Sequence, residues 1–239
     1  MTKRTPVLRV LSAGAAKGVV QALAGPFEAA AGARIEATFD SAGAISNAVT
    51  GGTGCDLVIL PAAMLDTLAA QALVDGDSIA ALGRVPTGIA VAAGDPLPDV
   101  HDADALKAAL VAASAMYCPD TMRSTAGIHF TGVLRALGLY DGSLAKLRAY
   151  ANGAQAMAAL AHAGAQRAIG CTQITEILYT PGVVLVAALP APFELATIYG
   201  VAVASNTSAS SPARSFAARL TGAATQPLRR AGGFLDRAT

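Results

Sequence analysis

The 239-residue chain has no tryptophan, and aromatic residues make up only 5% of it. Single-stranded nucleic acid is held largely by stacking bases on aromatic rings above a basic groove, and rings are scarce here. Excess positive charge is absent too: 17 Lys and Arg against 16 Asp and Glu give a formal net charge of +1, with the cations scattered. No nucleic acid and no anionic membrane surface is therefore expected as a partner. Charged residues of both signs amount to 14%, against 54% hydrophobic residues rich in Ala. That balance excludes a disordered chain and suits helices packed closely on a sheet. The three cysteines, Cys55, Cys118 and Cys171, are odd in number and far apart. They form neither a disulfide framework nor a metal-ligand spacing, and reduced thiols in a reducing compartment are expected. Apolar runs are interrupted by Gly, Pro, Asp or Lys well short of the ~20 residues of a membrane span, so no membrane insertion is expected. The polar residues 1–6 lack the apolar stretch of about 7–15 residues found in a secretory leader. The expected location is cytoplasmic, or periplasmic if a leader was removed.

What the chain does contain is an alternation of short β-branched runs with Ala-rich helical runs, the pattern of a largely parallel sheet covered by helices. Strands are expected at residues 7–11, 34–39, 56–60, 85–93, 115–118, 168–172, 183–188 and 195–204. Helices are expected after the Gly-bearing turn 12–18 through residue 30, after the turn 40–43, and from Pro61 to about residue 73. Further helices are expected at 102–113, 126–137 with Gly138 as C-cap, 154–163, 175–178 and 212–220. The strands 85–93 and 195–204 have the character of crossover segments. They divide the chain into one lobe built from 1–85 plus 197–239 and an inserted lobe, 86–196. The expected fold class is α/β and two-lobed, each lobe a mostly parallel sheet flanked by helices, with a ligand cleft between the lobes.

Several motifs in order carry a family resemblance: Val10-Leu11-Ser12-Ala13-Gly14-Ala15-Ala16, Phe39-Asp40-Ser41-Ala42-Gly43-Ala44, Cys55-Asp56-Leu57-Val58-Ile59-Leu60, Thr125-Ala126-Gly127, Ala168-Ile169-Gly170-Cys171, Pro181-Gly182-Val183, and the closing Phe216 and Gly233-Phe234. Across nearly its whole length the chain resembles the type II periplasmic-binding-protein-like family, in its molybdate-binding branch. In that branch two loop serines and a tyrosine hydroxyl cage a tetrahedral oxyanion. The resemblance puts Ala15 and Ala42 at the serine positions and Cys171 at the tyrosine position. Each hydroxyl lost from a charged ligand costs on the order of 1.5–3 kcal/mol, which argues against molybdate capture even where a shift of a residue or two brings Ser12 or Ser41 into play. The branch also includes aconitate isomerase, similar here in Leu11-Ser12-Ala13-Gly14 and in the stretch from Gly170 to Glu176.

Read as chemistry, four segments offer anion ligands. The first has Ser12, Gly14, Ala15 and Lys17 at a helix start, where backbone N–H groups and the helix dipole favour an anion; a solvated lysine is the plain alternative. In the second, Ser41 and Ala42 open another helix, and Ser41 is either an N-cap or a ligand donor. The third carries Arg123, Ser124, Thr125 and Ala126. Its guanidinium can take a carboxylate through two parallel bonds, or simply stay exposed beside a capped helix. His129 follows as a general acid–base candidate, or as a packed helix residue. The fourth holds Cys171, Thr172, Gln173 and Glu176. Glu176 is either a base or the closing member of a capping box, and Cys171 is either a thiolate or a small buried residue. The turn at Gly153 can add a backbone contact.

No nucleophilic triad, metal cluster, phosphate loop or nucleotide fingerprint is evident, so no cofactor and no metal are expected. The expected partner is a small anionic metabolite. Two readings remain: a cofactor-independent isomerase or lyase of a small carboxylate, with His129 or Glu176 moving the proton, and an oxyanion solute-binding protein serving an ABC permease.

Overall fold

The computed structural model describes residues 6–164 and 166–236. Residues 1–5, on which part of the leader argument rested, lie outside that range. The chain divides into two compact units, one running through Arg84 and resuming at Ile198, the other comprising Val85–Thr197.

In the first unit, β1 (Val7–Ala13) leads through a 3₁₀ turn, Gly14–Ala16, into α1 (Lys17–Ala31). Then come β2 (Arg34–Asp40), α2 (Ala42–Thr50), β3 (Leu57–Pro61) and α3 (Ala62–Ala70). β1 lies between β2 and β3 and is parallel to both. All five residues of β3 are buried, as a near-continuous apolar run predicts for a strand covered on both faces. The helix α1 buries Val19, Val20, Leu23 and Phe27 along one stripe, and Phe27 meets Phe216 at a ring-centroid distance of 4.8 Å. Ser12, expected in the turn, lies inside β1. The parallel register with β2 continues to Ala13 opposite Asp40, so the ladder holds the backbone extended two residues longer than the composition suggests.

β4 (Ala80–Ala92) carries the chain into the second unit. There follow α4 (Ala103–Ala112), β5 (Met116–Pro119), α5 (Thr125–Ala136), the short α6 (Tyr140–Ser143), β6 (Leu147–Tyr150), α7 (Gly153–Ala161), β7 (Ile169–Gln173), α8 (Ile174–Tyr179) and β8 (Val183–Ala188). Then β9 (Ala196–Val203) returns the chain to the first unit, where it runs antiparallel to β3 before α9 (Ser210–Thr221) and α10 (Gln226–Ala231). Within the second unit, β5 is parallel to both β6 and β7. β4 runs antiparallel to β7 and to β8. One apolar cluster joins Ile89, Met116, Cys118, Ile169 and Cys171 to Leu106 and Leu110 of α4 and Phe130 and Leu134 of α5. A second joins Ala90 to Ala156, Met157 and Leu160 of α7 and Ile177 of α8. Leu137 caps α5, and Gly138 follows it at φ 70°.

This topology gathers helix starts. β5, β6 and β7 point the same way, so α5, α7 and α8 all begin at one edge of the second unit's sheet. By the same logic the 3₁₀ turn into α1, and the helices α2 and α3, begin at one edge in the first unit. First-turn N–H groups lack helical partners and attract negative charge.

Candidate functional site

The fourth segment holds the most unusual group in the chain. Glu176 lies in the first turn of α8 and is 5% exposed. Its Oε2 accepts the Thr172 hydroxyl at 2.5 Å, and its carboxylate also accepts the backbone N–H groups of Gln173 and Gly153. Gln173 is the N-cap of α8 and Gly153 the first residue of α7, so one carboxylate ties two helix starts together. Both alternatives for Glu176 therefore bear on the same side chain: it accepts the N-cap N–H of α8, although the Gln173 side chain returns no capping bond, and it is a buried acid. Burial raises its pKa from an ordinary 4.5 to about 7, outweighing the three hydrogen bonds that act the other way.

Gly153 is fitted to this arrangement. A Cβ on it would lie 1.9 Å from Glu176 Oε2 and 2.3 Å from Thr172 Oγ1, so no side chain fits while the N–H reaches the carboxylate. The Gly153 N–H, expected to serve a ligand, goes instead to Glu176. Asn152 caps α7 by accepting from the N–H of Gln155 at 3.0 Å.

Close to Glu176 in sequence and register, hydrogen-bonding capacity is left unused. Thr87 Oγ1, Gln173 Oε1 and Thr175 Oγ1 are buried and have no partner among the described residues. A buried polar atom left unpaired costs about 1–3 kcal/mol, and native proteins contain few of them. Thr87 and Thr175 were not singled out by the sequence. Nothing local distinguishes them from threonines that serve a strand or a helix, and Thr87 reaches Gln173 only through the β4–β7 register.

The other expected residues take plainer places. Cys171 is fully buried in the apolar core, and burial, then Cys118, pushes its thiol well above the ordinary range. It offers no thiolate. Burial also raises Cys118 to about 12 and Cys55 to about 11. His129 is half-buried, and its Nε2 lies 2.8 Å from the Phe193 carbonyl; that nitrogen carries the proton and donates it, fastening α5 to the 193 loop. Arg123 turns back on Asp120, with Nη2 and Nε at 3.0 and 3.1 Å from Oδ2. The backbone N–H of Met122 and then the Arg123 groups hold the Asp120 carboxyl below its usual range. Ser124 is the N-cap of α5 but makes no capping bond with its side chain; Thr125 and the buried Ala126 open that helix.

In the first unit, Ser41 caps α2, its Oγ accepting the Ala44 N–H at 3.3 Å, and Ala42 is the first helical residue. Ser12 is fully buried and donates to the Ala13 carbonyl. Gly14 and Ala15 form the 3₁₀ turn and Lys17 starts α1. Asp56 braces the unit, accepting the Arg9 N–H at 2.7 Å and the Thr207 hydroxyl at 2.5 Å. Among the described residues, no group of three His, Cys, Asp or Glu is placed to hold a metal, and no helix is long and apolar enough to cross a membrane.

The sequence profile of the bacterial extracellular solute-binding proteins matches residues 8–235. The chain belongs to that family. The chain is also similar to an aconitate isomerase from Pseudomonas sp., 29% identical over 204 residues that cover 83% of this chain and 76% of that protein. Among solved structures, the Azotobacter vinelandii periplasmic molybdate-binding protein superposes with a TM-score of 0.82 at 18% identity, covering 97% of this chain and 100% of that one. The sulfate-binding protein SubI from Mycobacterium tuberculosis gives 0.74 at 17% identity, over 96% and 86% of the two chains. The type II periplasmic-binding-protein-like, molybdate-binding-like fold expected from the loop motifs is thus the fold of this solute-binding protein.

Proposed function

We propose that this solute-binding protein takes a small organic anion, a di- or tricarboxylate, and acts on it as a cofactor-independent isomerase or lyase. The observation that carries the reading is Glu176: a buried carboxyl, raised to about 7, at a sheet edge where three helices begin. A general base works best with a pKa near the working pH, and strongly shifted acids concentrate at functional sites. In the isomerase form of the reaction, ionised Glu176 takes a proton from a carbon next to a substrate carboxylate. The double bond then moves one position, and the same proton is returned to the far carbon, so nothing is gained or lost overall. First-turn N–H groups of α5 would stabilise the enolate-like charge. Arg123 would contribute by exchanging Asp120 for a substrate carboxylate. His129, already engaged with Phe193, is the weaker base. The aconitate isomerase relative catalyses a reaction of this type by its name, which supports the reading.

The second reading is an oxyanion solute-binding protein delivering its cargo to an ABC permease, and the molybdate- and sulfate-binding structural neighbours favour it. The two separate in one experiment. Purified protein is titrated with aconitate, tricarballylate, sulfate and molybdate, and aconitate is followed by ultraviolet absorbance for conversion without added cofactor. The first reading expects conversion by the wild type and a loss of at least about 100-fold in Glu176→Gln. Tightest binding of molybdate or sulfate with no conversion would overturn it.

A further inference from the structure

The other buried threonine hydroxyls of this protein have an acceptor, as Thr172 has in Glu176. Thr131 donates to Ile128 at 2.9 Å and Thr180 to Glu176 at 2.6 Å, both from buried positions. Thr87 and Thr175 do not, although they are 1% and 2% exposed. Gln173, 3% exposed, bonds Thr197 Oγ1 through Nε2 at 3.4 Å, while its Oε1 has no partner. Turning the amide over exchanges its ends but still leaves one of them unpaired.

The fold places these three residues at the junction of β4, β7 and α8. Thr87 and Gln173 are direct cross-strand partners in the antiparallel β4–β7 pair, so they stand on one face with Cβ atoms about 4.5–5.5 Å apart. Thr175 is the second residue of α8, which starts immediately after Gln173. The seating of β4 against that turn is tight: a Cβ on Gly88 would lie 2.7 Å from Cγ1 of Ile174. Thr87 and Gln173 are at the sheet edge where α5 begins, and Gln173 hands its own backbone N–H to Glu176. The end of β7 and the first turn of α8 thus carry two of the unpaired groups, and Thr87 carries the third directly across the ladder.

We propose that Thr87, Gln173 and Thr175 form a neutral hydrogen-bonding subsite that holds an oxygen-bearing arm, carboxylate or hydroxyl, of an organic-acid ligand. The proposal rests on the reading of the protein as an organic-anion binder and adds residues that contact the ligand's non-reacting end. Hydroxyl and amide groups both donate and accept, so they suit an arm of this kind, with charge recognition left to the helix starts.

The test uses Thr87→Val and Thr175→Val, which delete the hydroxyl and keep the shape, with Gln173→Leu as a third variant. Thermal unfolding is recorded without ligand, and aconitate, tricarballylate, sulfate and molybdate are titrated calorimetrically. For the two valine variants the expected result is an unchanged or higher unfolding midpoint, since an unpaired hydroxyl is replaced by a methyl. Affinity for the organic acid should fall about 10-fold per hydroxyl, equivalent to about 1.4 kcal/mol. Midpoints that drop while affinity stays within twofold would overturn the subsite and leave the proposed function standing. Weakened binding in the variants, with no conversion by the wild type, would support the subsite and remove the isomerase. A wild type that binds no carboxylate would end both.

Discussion

Replacing Glu176 by glutamine keeps the shape of the side chain and one oxygen for the Gly153 and Gln173 N–H groups, and removes the titration. The wild-type carboxyl titrates near 7 when folded, against an ordinary 4.5. Between those values the folded protein holds a proton that the unfolded chain has released. Stability from this group is therefore fully present below about pH 4.5 and is lost as pH rises through about 7. At ~1.4 kcal/mol per pH unit, the loss is on the order of 3 kcal/mol, a large share of the 5–15 kcal/mol typical of a folded domain. Urea unfolding of both proteins at intervals from pH 4 to 8.5 measures it, because titrations elsewhere in the chain cancel in the difference. The wild type should lose about 3 kcal/mol relative to Glu176→Gln across that range, most of it between pH 5 and 7.5. A difference that stays flat, or that moves the other way, would refute the assignment of Glu176 as a buried acid.

Gly153→Ala forces a methyl to within 1.9 Å of Glu176 Oε2 and should cost about 2–4 kcal/mol, as severe overpacking and a broken buried hydrogen bond together do; urea unfolding reads it, and a cost below about 0.5 kcal/mol would show that α7 moves away freely. Arg123→Ala should change stability by less than about 1 kcal/mol, because its ion pair with Asp120 is exposed, while weakening binding of a dicarboxylate such as succinate; unchanged affinity would remove Arg123 from the site. Cys118 and Cys171 should react with a thiol-specific disulfide reagent at neutral pH only as the protein unfolds, given their raised pKa and burial. Rapid labelling of both thiols in the native protein would contradict the packing described for β5 and β7.

The strands with continuous apolar composition, such as residues 57–60, were legible because burial on both faces leaves a run that resembles little else. β6 was not: Leu147-Arg148-Ala149-Tyr150 has two exposed residues at its centre, and only pairing with β5 makes it a strand. β4 begins at Ala80, before its apolar stretch, because ladder bonds rather than hydrophobicity extend it. At the site, Glu176 and Gly153 could be named from the turn chemistry around them. Their direct bond could not, because it links residues from different helices. Cys171 looked like a cleft residue when placed by family position. Its alternation with Gly170 and Thr172 along β7 instead turns it toward Ile89 and the apolar core. The unpaired state of Thr87 and Thr175 is a property of the assembled surroundings and has no trace in local composition.

The partner strand of β3 is synthesised late. Leu57 to Pro61 pair with residues 199–203, and Asp56 receives its hydroxyl from Thr207. A nascent chain that has delivered its first hundred residues therefore presents an apolar strand with one bare edge, a template for association with other chains. Val85–Thr197, being contiguous, can collapse on itself as soon as it leaves the ribosome. Chains cut short before Ile198 should accordingly aggregate through β3, because residues 199–203 supply its partner strand.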